Sequence, residues 1–517
     1  MKRNKHKLGY HKRKLNEMNQ QTPIVADLGF IKTHGLWNEK QIAAAEEVMK
    51  QVESLNLRTI RVAVSDPQGK VRGKTLMPKT FRSVMKNGLD FTSAQYNLDS
   101  AEGIAYNPFT SDGGVGFTEM AGFPDVILVP DPETFKVLPW CDRTGWILGD
   151  MYFNDGRPMP FDARHKLKAA ESALKDEGYD FVAGLEVEFY VTRVIDQNLG
   201  AEHMGAMGVP PTPPTVEAVW RGFAYQAEEH HDAIAELLDT LADHCTALGL
   251  PLRTMEDEMG PGQLEFTFDI QSGLEAADTL TLFRSMVKQV CARMGYHATF
   301  MALPGLPNFA ASGWHLHQSM TDAEGRNVFV NHEGGLLSDI GRHFVGGLLK
   351  HAVDASVFTT PTVNGYKRRK PNSLAPDRST WGYDNRAAMI RVQGAPGDPA
   401  THVENRVGEP AANPYLYIGS QIASGLDGIR NKIEPGELEA EPYAAAHRPL
   451  LPKNLPEAVD ALEKSAFFRD TFGEGFVNWL VGMKRFELSR FEAAVPNWSE
   501  TPEAVTAWEH REYFTRY

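Results

Sequence analysis

The stretch Gly184-Leu185-Glu186-Val187-Glu188-Phe189-Tyr190-Val191 alternates apolar and polar residues over most of its length. Such alternation predicts a half-buried β-strand, in which every second side chain lies on the same face. We therefore expect Glu186 and Glu188 to share a face, roughly 6–7 Å apart. Two glutamates in water would give the same pattern, so this pair alone does not indicate a site.

Further acidic and imidazole side chains occur at the same spacing elsewhere in the chain. Gln263–Ile270 predicts a second strand carrying Glu265, and the turn 260–262 (Gly-Pro-Gly) would let Glu258 approach the same ion. His315 and His317 again share a face, and Glu404 lies in the motif His-Val-Glu-Asn-Arg. Carboxylates with one imidazole suit Mg²⁺ or Mn²⁺. The predicted metal ligands are Glu186, Glu188, Glu258, Glu265, His315 and Glu404.

Arginines follow the acidic residues along the chain. Arg386 and Arg391 lie among small and apolar residues in Asn-Arg-Ala-Ala-Met-Ile-Arg-Val, where a charge without a role is costly. Guanidinium groups match phosphate and carboxylate oxygens, and Arg368 and Arg406 belong to the same set. The sequence holds neither a P-loop motif nor a GxSxG motif. We therefore predict an ATP-consuming enzyme that holds ATP through metal ions, arginines and strands.

Composition limits the class of protein. A chain of 517 residues is expected to form two domains or one very large one. The net charge of −14 argues against a nucleic-acid binder. Three cysteines without CxxC spacing favour a reducing, cytoplasmic setting over disulfides or zinc. No apolar run approaches the ~20 residues of a membrane span.

The pattern along the chain predicts four segments. Residues 1–21 read as a basic, disordered tail and 22–57 as a helical segment. Residues 58–150 are strand-rich, beginning with a hairpin of Thr59–Ser65 and Lys70–Leu76. The remainder, 151–517, is the expected catalytic domain. Within it we predict a long helical stretch over 216–249, with His230 and His231 on the surface, and helices over 455–516 with an apolar stripe.

Six ordered motifs resemble those of the glutamine synthetase family. They are GLEVEF, EMGPGQLEF, SGWHLHQS, NGYKRR, NRAAMIRV and HVENR…EPAANPYLY, spread over residues 58–490. The resemblance implies an α+β fold: a small N-terminal β-grasp domain and a large catalytic domain built on a curved antiparallel sheet with surrounding helices. It also implies stacked-ring homo-oligomers, dodecamers among them, with active sites between subunits.

The resemblance also assigns roles to individual residues. Glu188, Glu258 and Glu265 would bind one Mg²⁺ or Mn²⁺, and Glu186, His315 and Glu404 a second. His317, Ser319 and Arg391 would contact the nucleotide or its phosphates. Arg368, with Ser312 and Gly313 beside it, would bind the glutamate α-carboxylate. Arg386 and Arg406 would clamp the phosphoryl group and the γ-carboxylate, and Asp99 would match a catalytic aspartate of the ammonium site.

Departures from the family pattern point to an unusual nucleophile. Members that use ammonia carry a glutamate in the flap after the NxYKR motif, and that position is Leu374 here. Ala310 and Ala311 replace an Asn-Gly pair, and His402 stands where arginine is common. A leucine neither stabilises a cation nor accepts a proton. Because an arylamine is already neutral at pH 7, we expect γ-glutamylanilide-type synthesis from L-glutamate.

Other functions stay open at this point. An alkylamine or polyamine γ-glutamyl ligase and an ordinary glutamine synthetase share the reaction. A non-catalytic ring scaffold or sensor is the alternative of a different class. ATP- and metal-dependent phosphate release would distinguish an enzyme from a scaffold. The expected partners are L-glutamate, ATP and an amine, without nucleic acid or membrane.

Overall fold

The computed structural model describes residues 29–196 and 198–517. Their contacts form two compact units. The smaller unit takes the residues up to Val64 with Gly73–Phe91 and Val126–Arg157. The larger unit takes Ser65–Arg72, Thr92–Asp125 and Pro158–Tyr517. The predicted tail 1–21 lies outside the described residues, and the predicted limits at 58, 150 and 151 stay a prediction.

The α-helices of the described part are α1 (Phe30–Thr33), α2 (Glu39–Ser54), α3 (Pro78–Asn87), α4 (Ala163–Lys175), α5 (Glu228–Ala233), α6 (Ala235–Leu248), α7 (Gly273–Arg293), α8 (Asp339–Lys350), α9 (Ser356–Thr359), α10 (Pro414–Asn431), α11 (Leu455–Lys464), α12 (Ala466–Phe472), α13 (Glu474–Ala494) and α14 (Ala507–Tyr513). The strands are β1 (Thr59–Ser65), β2 (Val71–Leu76), β3 (Leu89–Thr92), β4 (Asp125–Pro130), β5 (Lys136–Val137), β6 (Thr144–Tyr152), β7 (Asp180–Val194), β8 (Val216–Ala218), β9 (Leu252–Asp257), β10 (Gln263–Phe268), β11 (Gln271–Ser272), β12 (Tyr296–Thr299), β13 (Trp314–Thr321), β14 (Trp381–Tyr383), β15 (Ile390–Gln393) and β16 (His402–Asn405).

The smaller unit is organised around a mixed sheet in the order β2-β1-β6-β4-β3, with β5 also beside β6. β1 and β6 are parallel, whereas β4 and β6 are antiparallel. The helix α3 follows β2 and precedes β3. Apolar side chains of β1 and β6 such as Val62, Ile147 and Leu148 are fully buried. This arrangement is consistent with the expected β-grasp domain.

The larger unit contains a ten-stranded sheet whose main path is β14-β15-β16-β13-β7-β10-β9. β7 is its longest strand, with 15 residues, and also pairs with β8, β11 and β12. Neighbouring strands are antiparallel except for β14 and β15. Helices surround this sheet, which confirms the predicted α+β, glutamine-synthetase-type fold. The strand register of β7 decides which side chains meet on its polar face.

Two helices pack against each other through glycines. A β-carbon on Gly347 of α8 would lie 2.0 Å from the carbonyl oxygen of Ser424, on α10. A β-carbon on Gly428 of α10 would lie 2.0 Å from the carbonyl oxygen of His343. Since real β-carbons never approach so closely, α8 and α10 require glycine at both positions.

The sequence pattern also predicts helices over 37–56, 277–295 and 335–353, and these are present as α2, α7 and α8. It predicts strands at 59–65, 263–269 and 314–320, and these are present as β1, β10 and β13. The apolar stripe of the C-terminal region is largely core: Phe468, Phe472, Phe476, Trp479 and Leu480 are buried. No helix in the two described ranges has the length and apolarity to cross a membrane.

The helical prediction for 216–249 is wrong in its first part. Residues Val216–Ala218 form β8, which pairs with Thr192–Val194 of β7, and helix begins only at Glu228. The surface assignment of His230 is also wrong. Its ring stacks on Trp220 at 4.6 Å between centroids, and its Nδ1 lies 3.2 Å from the carboxylate of Asp257. These tertiary contacts bury His230, while His231 is half-buried.

Candidate active site

The strand register brings the predicted acidic and imidazole residues together. Glu265 of β10 pairs directly with Glu188 of β7. On the other side of β7, His315 pairs with Glu186. Glu404 of β16 then pairs with His317 of β13. Because side chains of paired residues project to the same face, the period-two spacing of each strand becomes one cluster across four strands.

Short distances connect the side chains of this cluster. His315 Nδ1 lies 2.5 Å from Glu186 Oε1, and His317 Nε2 lies 3.0 Å from Glu186 Oε2. His315 Nδ1 is 3.6 Å from Glu404 Oε1, and His315 Nε2 is 3.9 Å from Glu188 Oε1. Two sets have ligand atoms within 4.8 Å of one another: Glu186 with Glu265 and His315, and Glu186 with His317 and Glu404.

Three carboxylates of the cluster are hard to ionise. Burial, and then the neighbouring carboxylates, raise the pKa of Glu188 and of Glu265. Burial raises the pKa of Glu258 to about 7. Like charges directly opposite on a sheet are destabilising. A bound cation would relieve the repulsion between these carboxylates. The carboxylate and imidazole groups of the cluster therefore fit a divalent metal ion.

The other two carboxylates have pKa values lowered by histidine and arginine neighbours. Burial opposes ionisation of Glu186, but the two histidines outweigh it and lower its pKa. Burial likewise opposes ionisation of Glu404, whose pKa is lowered by Arg406 and His315. Arg391 Nη1 donates to Glu404 Oε2 at 3.1 Å, and Arg406 Nη1 donates to Glu404 Oε1. Glu404 therefore joins the acidic cluster to the arginines.

The remaining two arginines differ in their surroundings. Arg368 is buried, and its Nη1 donates to the carbonyl oxygens of Gly408 at 2.8 Å and Val407 at 3.2 Å. Arg386 is exposed in the turn before β15, and its carbonyl oxygen accepts a bond from Arg406 Nε at 3.2 Å. Arg368 is thus fixed in place, whereas the guanidinium of Arg386 lies at the surface of the cavity.

Gly313 gives the cluster room. A β-carbon at this position would lie 2.6 Å from Arg368 Nη2, 2.8 Å from His315 Nε2 and 3.3 Å from Glu188 Oε1. Its neighbour Ser312 is fully buried, and its Oγ accepts a bond from Gln263 at 3.0 Å. Any side chain at position 313 would therefore crowd Arg368, His315 and Glu188.

These side chains line a cavity of about 950 Å³. The apolar part of its wall includes Leu374, Ala375, Leu303, Met259 and Phe309, and Tyr225 adds an aromatic ring. Leu374 is 54% exposed, and its φ of +61° places it in the left-handed region. The same cavity thus combines acidic and basic side chains with an apolar part of its wall. The predicted residues that line it are Glu186, Glu188, Glu258, Glu265, His315, His317, Arg368, Leu374, Arg386, Arg391 and Arg406.

Five predicted site residues are absent from this lining: Ser312, Gly313 and Glu404, which lie against residues of the cluster, and Asp99 and Ser319. Asp99 is fully buried, with Oδ1 accepting from the amides of Ala101 and Gly103 and Oδ2 2.7 Å from Arg490 Nε. Ser319 is half-buried on the same face of β13 as His317, but further along the strand. Their roles stay predictions.

Sequence analysis missed Gln263 and Tyr190. Gln263 is fully buried, and its Nε2 donates to Glu188 at 2.9 Å, while its Oε1 accepts from the amide of Gly260 at 3.0 Å. Tyr190 Oη accepts from the amide of Ala310 at 2.7 Å and donates to Gln263 Oε1 at 3.2 Å. Both residues lie two positions from a predicted ligand, so the period-two spacing was the available signal. Glu256, directly opposite Glu265, was missed in the same way.

Comparison with known proteins agrees with this geometry. Residues 160–501 match the catalytic domain of glutamine synthetase. The chain belongs to the glutamine synthetase family. A γ-glutamylanilide synthase of Acinetobacter sp. is 47% identical over 94% of this chain and 99% of its own. A glutamate–isopropylamine ligase of Pseudomonas sp. is 30% identical over 89% of this chain and 97% of its own.

Structural comparison gives the same family. A solved structure described as apo GmaS without ligand has a TM-score of 0.73 at 27% identity, covering 90% of this chain and 98% of that one. Members of the glutamine synthetase family are ligases that use ATP and divalent metal ions. This protein is therefore an ATP-dependent ligase acting on small molecules, and not a scaffold.

Proposed function

We propose that this enzyme joins the γ-carboxylate of L-glutamate to the amino group of an arylamine. The observation that carries the proposal is the composition of one cavity, whose lining combines the acidic cluster and Arg368 with Leu374, Ala375, Leu303, Met259 and Phe309. A relative with 47% identity over nearly the whole chain is named a γ-glutamylanilide synthase. That name supports an aromatic amine as the acceptor.

The reaction requires activation of a poor acyl donor. ATP transfers its γ-phosphoryl group to the γ-carboxylate of glutamate, which gives γ-glutamyl phosphate and ADP. The nitrogen lone pair then attacks the acyl carbon, phosphate leaves with its bonding electrons, and the nitrogen gives its extra proton to water. Arg386 and Arg406 would hold the phosphoryl and γ-carboxylate oxygens, and Arg368 the α-carboxylate. Ser312 and Gly313 would flank that α-carboxylate site.

Divalent ions, Mg²⁺ or Mn²⁺, would neutralise phosphate oxygens during this transfer. We infer two ions for each site, the first held by Glu188, Glu258 and Glu265. The second would be held by Glu186, His315 and Glu404. The buried, mutually repelling carboxylates support the first set. His317, Ser319 and Arg391 would contact the nucleotide.

Leu374 accounts for the choice of acceptor. An arylamine is uncharged at pH 7, so its nitrogen can attack without first losing a proton to the enzyme. Ammonium and alkylammonium ions carry a positive charge, and a leucine offers them neither a hydrogen bond nor a counter-charge. The apolar wall around Leu374 also favours burial of an aromatic ring.

An amine panel tests the proposal. ATP-dependent phosphate release is measured with L-glutamate, Mg²⁺ and aniline, isopropylamine, putrescine or ammonia, and the amide is identified by mass spectrometry. We expect the highest kcat/KM with aniline and none without glutamate. The isopropylamine arm addresses an alkylamine ligase, since a relative carries that name. A higher kcat/KM with ammonia than with any organic amine would overturn the proposal.

A substitution in the apolar part of the cavity wall tests the role of Leu374 directly. Leu374→Glu should lower kcat/KM for aniline and raise kcat/KM for ammonia, because a carboxylate stabilises a cationic amine. Leu199→Glu is the matched control, since Leu199 is 79% exposed and does not line the cavity. Equal amine selectivity in the two variants would remove Leu374 from the acceptor site.

We also infer a cytoplasmic enzyme that assembles into stacked rings, with Asp99 contributing to the amine site as a catalytic residue. The family resemblance supports the rings, and the sparse cysteines support the compartment. Light scattering on the purified protein should give a mass near that of a dodecamer. A monomer that is fully active would contradict the shared sites.

A further inference from the structure

The wall of the catalytic cavity contains a residue in a strained backbone conformation. Leu374 belongs to residues 370–376, which form no helix or strand and which we call the acceptor flap. Its φ of +61° lies in the left-handed region, which glycine and asparagine adopt readily and leucine rarely does. Residues in such conformations persist only where surrounding contacts hold them, and they cluster at functional sites. The position of Leu374 therefore depends on what holds the flap.

Ser373 holds the part of the flap that precedes Leu374. Its Oγ lies 3.0 Å from the carbonyl oxygen of Arg368 and accepts a bond from the amide of Lys370 at 3.3 Å. The amide of Ser373 donates to the carbonyl oxygen of Lys370 at 3.2 Å. These bonds shape the turn on one side of Leu374 and leave the chain on its other side to a different contact.

Tyr443 holds the chain that follows Leu374. Its Oη donates to the carbonyl oxygen of Ala375 at 3.0 Å. Burial raises the pKa of the Tyr443 phenol, and hydrogen bonds from the amides of Ser373 and Leu374 oppose this rise. The phenol oxygen thus meets backbone groups of three consecutive residues, with Leu374 in the middle. Tyr443 itself does not line the catalytic cavity.

The segment that carries Tyr443 is anchored to the catalytic sheet. Tyr443 lies in a short 3₁₀ helix, Pro442–Ala444, whose first residue is buried. Before this helix, the amide of Glu439 donates to the carbonyl oxygen of Trp381, the first residue of β14, at 2.9 Å. After the helix, Arg448 Nε donates to the carboxylate of Glu439 at 2.7 Å. Tyr443 therefore connects the acceptor flap to the sheet that carries most of the proposed metal ligands.

We propose that Tyr443 is a positioning residue that sets the preference of the enzyme for its acceptor amine. The hydrogen bond to Ala375 keeps Leu374 in its left-handed conformation, with its side chain in the cavity wall. Without that bond the backbone relaxes toward an ordinary conformation and carries the leucine side chain out of place. The aromatic character of the preferred amine rests on the proposed function, whereas the hold of Tyr443 on the flap does not.

Hydrogen exchange of the flap tests the structural step without turnover. Tyr443→Phe keeps the ring and removes only Oη, so a peptide spanning 372–375 should exchange about fivefold faster or more. Exchange in β7 and β10 should not change. Tyr296→Phe is the matched control, because Tyr296 lies on β12 and does not line the cavity. The control should leave exchange of the flap as it is in the wild type.

Steady-state kinetics test the effect on the amine. Tyr443→Phe should raise KM for aniline about five- to tenfold, as expected for the loss of one hydrogen bond, and leave KM for glutamate and for ATP within about twofold. The ratio of kcat/KM for aniline to that for isopropylamine should fall, because a smaller amine depends less on the exact position of the leucine. Tyr296→Phe should change none of these constants.

The Leu374→Gly background distinguishes an effect through Leu374 from a general structural one. Glycine adopts positive φ without strain and has no side chain to position. Adding Tyr443→Phe to that background should therefore change KM for aniline by less than about twofold. The same fold change in the wild-type and Leu374→Gly backgrounds would overturn the proposal, as would flap exchange that does not respond to Tyr443→Phe.

The amine panel decides the proposed function separately. If it favours another amine, the same variants are measured with that amine, and a rise in its KM that requires Leu374 supports the role of Tyr443. Faster exchange of the flap in Tyr443→Phe with an unchanged KM for every amine in the panel would overturn that role, whichever amine the enzyme prefers.

Discussion

Substitution of Gly313 by alanine should disable the site while leaving the fold intact. The new β-carbon would lie 2.6 Å from Arg368 Nη2 and 2.8 Å from His315 Nε2. Non-bonded heavy atoms need about 3.5 Å, so the guanidinium must retreat by close to 1 Å. Arg368 has little freedom to do so, because its Nη1 is bonded to the carbonyls of Val407 and Gly408. A misplacement of about 1 Å can cost about 100-fold in rate.

Steady-state kinetics and thermal unfolding, measured on the same samples, test this expectation. Gly313→Ala should lower kcat/KM for glutamate about 100-fold and change the unfolding temperature little. Gly419→Ala is the matched control: Gly419 lies within α10, and its β-carbon would meet ordinary contacts no closer than 3.5 Å. Alanine is favoured over glycine in helices by about 1 kcal/mol, so the control should keep its activity and be slightly more stable. Activity of Gly313→Ala within threefold of the wild type would refute the reasoning about Arg368 and His315.

Three further experiments examine the surroundings of the site. Gln263→Leu removes the hydrogen-bond donor to Glu188 and should weaken Mn²⁺ binding about 10- to 100-fold in a calorimetric titration. An unchanged affinity for Mn²⁺ would show that Gln263 does not orient the carboxylate of Glu188. Saturating Mg²⁺ or Mn²⁺ should raise the unfolding temperature, because a cation relieves the repulsion between Glu188 and Glu265, and EDTA should reverse the effect; an unfolding temperature insensitive to both would contradict a metal site. Burial raises the pKa of Glu409 to about 7 in the native state, above the pKa of a glutamate in the unfolded chain. Between about pH 5 and pH 7 the native state therefore binds one proton more than the unfolded state. The contribution of Glu409 to the free energy of unfolding falls as the pH rises through this range. Glu409→Gln should remove about 3 kcal/mol of that decline, as measured by urea unfolding at several pH values, and identical pH profiles would contradict the buried protonated carboxyl.

Secondary structure was predictable from the sequence wherever the local spacing of apolar residues and the tertiary contacts favour the same conformation. Alternation around Glu186 gave β7, and the helical spacing over 37–56 gave α2. The stretch 216–227 did not follow its local pattern, because pairing with Thr192–Val194 of β7 turned residues 216–218 into a strand. His230 became buried for a related reason, since Trp220 covers its ring. Partners distant in sequence decide such segments.

The site was predictable to the extent that its residues lie on strands with period-two spacing. That spacing, with the motifs of the family, identified the six acidic and imidazole residues. It did not identify Gln263, whose role comes from a hydrogen bond to Glu188 across two strands. Nor could it place Asp99, whose carboxylate is engaged by Arg490. Contacts between side chains from separate elements require coordinates.

Five of the six proposed metal ligands lie on β7, β10, β13 and β16, whereas the proposed acceptor wall lies on irregular segments. This difference has an evolutionary consequence. Leu374, Tyr225 and Phe309 all lie outside helices and strands. Loop residues tolerate exchange far better than paired strands do. Descendants of one ancestral ligase can therefore acquire new amine preferences by altering a few loop positions, while the machinery that consumes ATP is inherited unchanged.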